Sequence, residues 1–101
     1  MRQMLYILAE DLAKNANIDP VACRGLLRLA IEDISGARDT RAISSYMAKM
    51  GFDEWTKVLN HPPLAHSLSS AGAKDAATAL SQTQNTLVEK QALFTMTARY
   101  R

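Results

Sequence analysis

Residues 19–36 read DPVACRGLLRLAIEDISG, and the order of signals in that stretch decides the fold class. Asp19 followed by Pro20 is a helix start. The carboxylate can accept from N–H groups that the first turn leaves without partners, and proline at the first helical position has no N–H to lose. Cys23, Leu27, Ala30, Ile31 and Ile34 then recur at helical spacing, while Leu26 and Leu29 widen the apolar stripe. Ser35-Gly36 ends the run. The stretch predicts a helix from Pro20 to about Ile34. So broad an apolar surface needs neighbours on several sides, which puts this helix at the centre of the core.

The flanks follow the same logic. Upstream, residues 3–15 align Leu5, Leu8 and Leu12 with Met4 and Ala9, leaving Glu10, Asp11 and Lys14 away from that stripe, and Asn15-Ala16-Asn17 weakens the end. Downstream, Asp39 or Thr40 caps a third helix bearing Ile43, Met47 and Met50, with Tyr46 adjacent. Gly51 stands where a left-handed glycine would close that helix. Asp53 is expected to cap a short fourth helix carrying Trp55, Val58 and Leu59, with Phe52 as a staple before it. Asn60-His61-Pro62-Pro63 stops that helix, and Pro63 can open a fifth holding Leu64 and Leu68 before the joint at Ser69-Ser70-Ala71-Gly72.

From Ala73 to about Arg99 there is neither Gly nor Pro. Ala73, Leu80, Leu87 and Phe94 fall seven residues apart. The intervening seam positions are Ala76, Thr83 and Lys90, or else Ala77, Gln84 and Gln91, so only half of a coiled-coil seam is apolar. One long C-terminal helix of about 40 Å is expected at ~1.5 Å per residue. Such a helix either breaks near Gln82-Thr83-Gln84-Asn85 or projects beyond the rest. The fold class is therefore all-α: a compact bundle of five to six helices in one domain, 1–101, with a short-helix bundle over 1–72 and a long C-terminal helix over 73–101.

Composition agrees. The 101 residues are 48% hydrophobic and 22% charged, and four Gly and three Pro supply too few reversals for an all-β chain. Twelve basic against ten acidic residues leave a net charge of +2, far from the clustered excess of a dedicated phosphate-tracking surface. One cysteine, Cys23, excludes an internal disulfide and fits a reducing compartment. No apolar run approaches the ~20 residues of a membrane span. Glu10 and Asp11 interrupt the apolar start too early for a signal peptide, so a cytoplasmic, membrane-free protein is expected.

Chemistry-bearing groups are sparse. His61 and His66 lie five apart around Pro62-Pro63, which is not metal-ligand spacing, and Cys23 lies on an apolar stripe where a thiol is inert. Neither catalytic residues, nor a cofactor site, nor a metal site is expected. Arg24, Arg28 and Glu32 form a row on the second helix, read as a solvated strip with an Arg28–Glu32 pair. The adjacent acidic pairs at 10–11, 32–33 and 53–54 diverge on their helices. Arg99-Tyr100-Arg101 suits the C-terminal end of a helix dipole.

Two functional readings remain. The first is a protein–protein interaction module, a regulator, inhibitor or assembly component, acting through its C-terminal helix on a protein partner or on itself. Its contact residues are Leu87, Val88, Phe94 and Met96, with the Trp55 region as a second surface. The second is a helix-turn-helix-like DNA-binding regulator built on residues 43–60. There Arg38, Arg41, Lys49 and Lys57 would meet phosphates and Asn60 or Thr56 a base edge. Asp53-Glu54 at the start of the second helix has the wrong sign for that groove.

Overall fold

The computed structural model describes residues 4–91 as six helices, with no strand among the described residues. They are α1 (Met4–Ala16), α2 (Pro20–Ser35), α3 (Thr40–Lys49), α4 (Phe52–Leu59), α5 (Pro62–Ser70) and α6 (Ala76–Glu89). Helix α2 packs against α1, α3, α4 and α5, while α6 closes the other side against α1, α4 and α5. Leu8, Leu12, Leu27, Ile31, Leu64, Leu68 and Leu87 are the largest wholly enclosed apolar side chains of the single buried cluster. Helix α3 lies at the margin: Ile43 is its one buried residue, and Tyr46 and Met47 are only half covered.

The helix ends follow from local chemistry. At Asp19 the carboxylate accepts from the Ala22 N–H at 3.1 Å, and at Asp39 it accepts from Ala42 at 2.8 Å. Three left-handed residues close helices: Asn17 (φ 58°), Gly36 (φ 76°) and Gly72 (φ 101°). Behind the first and third, Ile18 N–H returns to the Ala13 carbonyl at 3.1 Å and Ala73 N–H to that of Leu68 at 3.0 Å. Both are six-to-one closures that satisfy carbonyls a helix end otherwise leaves open.

The structure corrects several expectations. Gly51 has φ −104° and does not close α3; it is the N-cap of α4, where the Glu54 carboxylate accepts from its N–H at 2.7 Å. Asp53 is consequently inside the first turn and not the cap, and Phe52 is the first helical residue and not a staple before it. Leu29 does not broaden a buried stripe: it is 56% exposed. The last described helix has 14 residues, beginning at Ala76 and not Ala73, because Asp75 caps it. Asp75 accepts from the Thr78 N–H at 3.1 Å and from the Thr78 hydroxyl at 2.7 Å, and these bonds hold its carboxyl below the usual range. Gln82-Thr83-Gln84-Asn85 lies within the helix without a break, and a turn follows at Lys90. The expected continuation from 92 to 99 lies outside the described residues.

Candidate interaction surfaces

Helix α2 has more apolar residues than its neighbours can cover. Cys23, Leu27, Ala30 and Ile31 turn inward. On the opposite face Val21, Ala22, Gly25 and Leu29 are all exposed, Val21 at 62% and Leu29 at 56%. Steps of four along a helix return to nearly the same side, so Val21, Gly25 and Leu29 make one apolar row. Gly25 stands in its middle with no steric reason of its own. A methyl there would meet nothing within 4 Å, and its φ is not left-handed. Glycine in a helix interior costs about 1 kcal/mol against alanine.

The charges beside this row have defined partners or none. Arg24 lies over the Tyr6 ring of α1, 5.0 Å from its centroid, a cation–π contact joining the two helices. Asp33 is 3.3 Å from Nε2 of His61 at the start of α5. Among the described residues, Arg28 and Glu32 make no ion pair, with each other or with anything else. The pair expected between them is absent. Arg before Glu is the weaker order for an i,i+4 pair, since it opposes the helix dipole.

Helix α6 behaves in the opposite way. Its buried side is Ala76, Ala79, Leu80, Thr83 and Leu87, so the seam follows the 76–83–90 alternative. Thr83 is fully enclosed, and its hydroxyl accepts from the Asn15 amide at 3.1 Å. The same Asn15 amide also donates to Asp11 at 2.9 Å. One residue on, the Gln84 amide donates to the Thr56 hydroxyl of α4 at 3.2 Å. The polar middle of α6 thus ties it to α1 and to α4. Leu87, expected at a partner contact, is wholly enclosed and belongs to the core, whereas Val88 is 49% exposed. Phe94, Met96 and Arg99-Tyr100-Arg101 lie outside the described residues.

The residues proposed for DNA do not converge on a reading helix. Arg38, Arg41, Lys49 and Lys57 are exposed. In α4, however, Trp55, Val58 and Leu59 are buried, which leaves Asp53, Lys57 and Asn60 as the exposed side chains around it. Thr56 and Asn60 are already engaged, Thr56 by Gln84 and Asn60 by donating to the Thr56 carbonyl at 2.8 Å. Trp55, on the packing side of α4 with Val58 and Leu59, is 2% exposed and is a core residue, so the region around it presents no aromatic surface.

One cleft is not foretold by the sequence. The His61-Pro62 corner between α4 and α5 stands off from the small side chains Ala77 and Ser81 of α6, leaving an open space of about 340 Å³. Gln84 lines it, and its buried Oε1 has no hydrogen-bond partner. Proline at the first turn and small residues opposite were the available signals, but neither says which helices meet. Elsewhere, Cys23 is enclosed, and burial with a contribution from the Asp19 charge pushes its thiol up to about 11. Among the described residues no cluster of three or more His, Cys, Asp or Glu could hold a metal ion, and no helix is long and apolar enough to cross a membrane. No protein-family model, curated protein or solved structure matches the chain.

Proposed function

We propose that this chain is a small helical interaction module, a regulator, inhibitor or assembly component that works by holding another protein chain. One observation carries the reading: the central helix presents Val21, Gly25 and Leu29 to solvent as a continuous apolar row. Scattered exposed apolar side chains are ordinary, but an aligned set on one rigid helix is how helix faces meet a partner. Val88 and the C-terminal residues Phe94 and Met96 form the second contact region in this proposal. The DNA-binding alternative draws less support, because α4 spends its bulky side chains on the core and exposes a single cation.

A photo-reactive amino acid at position 29 tests the reading. It is expected to cross-link a defined partner band that a probe at Lys74 does not give, and Val21→Glu should remove that band while helicity by circular dichroism is unchanged. Identical patterns from the two probes would sink the proposal. Duplex DNA binding that falls steeply with salt and vanishes in Lys57→Glu would favour the alternative instead.

A further inference from the structure

We infer that the partner of the α2 face is a second copy of this chain, the two α2 helices lying antiparallel across a two-fold axis close to Leu29. The inference rests on the reading of that face as a contact surface and names its occupant. Charge and shape on a single helix carry it. Arg24 is taken by Tyr6 and Asp33 is paired with His61, so Arg28 and Glu32 are the charges left without a partner at the edge of the apolar row.

In a two-fold antiparallel pair each residue faces a residue equally far on the other side of the axis, at the same lateral position. An axis at the height of Ala30, next to Leu29, sets Arg28 of each copy level with Glu32 of the other. The two groups that fail to pair within one helix thereby pair twice between helices. A parallel arrangement would set Arg28 against Arg28 and Glu32 against Glu32, and like charges in register are disfavoured. Leu29 meets its own copy near the axis. In this register Gly25 lies level with Ser35, the last residue of the other copy's α2, and Val21 lies beyond that helix end, so the contact centres on Leu29.

Sedimentation equilibrium of the full chain from about 1 μM to about 1 mM is expected to show the mass rising from one chain to two. Leu29→Glu brings two carboxylates together near the axis and should hold the mass at one chain with helicity intact, since that side chain is already more than half exposed. Arg28→Glu and Glu32→Arg should each weaken the pair about tenfold or more. The double exchange Arg28→Glu with Glu32→Arg should restore it, because both contacts re-form with signs reversed.

A mass of one chain across the whole range overturns the inference. So does a dimer unmoved by Leu29→Glu, or a double exchange no stronger than the single ones. A chain that stays single yet cross-links a different protein from position 29 would remove self-pairing and leave the broader proposal standing. Single mass with no specific cross-link removes both.

Discussion

Helices α2 and α6 are near-opposites in composition, and the structure uses them against type. Helix α2 is rich in leucine and isoleucine, yet it leaves Val21 and Leu29 in solvent. Helix α6 carries threonine, glutamine and asparagine through its middle, yet it buries Thr83 completely. The difference lies in how many neighbours each helix has and what they offer. Four helices crowd one side of α2 and cannot reach the far side. Helix α6 meets Asn15 on α1 and Thr56 on α4, which supply hydrogen-bond partners that make burial of its polar groups tolerable. Hydropathy tells what a residue would gain from burial; the neighbours decide whether it is buried.

The sharpest way to break this contrast is to truncate one leucine on each helix. Leu87→Ala on α6 should destabilise the chain by about 2–5 kcal/mol, because an enclosed side chain leaves a cavity behind. Leu29→Ala on α2 should stay within about 0.5 kcal/mol in the single chain. Urea midpoints compare them directly, and equal losses would show that α2's outer face is covered after all.

The inner face of α2 makes a prediction in pH. The Cys23 thiol has its pKa raised from 9.0 to about 11. Between those values the unfolded chain has released a proton that the folded chain still holds. Stability is therefore complete below about 9 and falls as pH rises toward 11, by roughly 2–3 kcal/mol at most. Unfolding curves of the wild type and Cys23→Ala at pH 8 and pH 11 should diverge accordingly. Parallel slopes would mean that the thiol is not desolvated.

On α6, Thr83→Val keeps the shape and removes the hydroxyl that receives the Asn15 amide. A loss of about 0.5–1.5 kcal/mol is expected. Asn15→Ala should then cost less in the valine background than in the wild type, and strict additivity would deny the contact any energetic role. The smallest effect belongs to α2's outer face. Gly25→Ala should stabilise the single chain by about 0.4–1 kcal/mol, since a methyl meets open space there and the unfolded chain loses freedom. A thermal midpoint that drops would place some neighbour against that position.

Element identity was legible because caps and stops are local. Asp19-Pro20, Asp39, Gly36 and Pro62-Pro63 each act through bonds or clashes within a few residues, and the helices begin and end beside them. Asp75 is a weak start signal in the sequence because the alanines around it blur the start of the seam. Gly51 is ambiguous for a related reason: a glycine between two helices can close the first or cap the second, and only the Glu54 contact decides. The surfaces were less legible. Nothing in the spacing of Leu29 separates it from Leu26, and only the placement of the surrounding helices leaves one exposed and the other half covered. The spacing of Leu87 likewise does not separate it from the exposed Val88, and the cleft beside His61 depends on a meeting of three helices that no local signal foretells.

The enclosure of Cys23 carries an experimental consequence. Its sulfur has no exposed surface, and it is the chain's single thiol. A reagent that modifies thiols must wait for the first turn of α2 to come away from the core, so the rate of modification reports on those openings. The protein thus contains its own clock for core opening, readable in any buffer and without an added label.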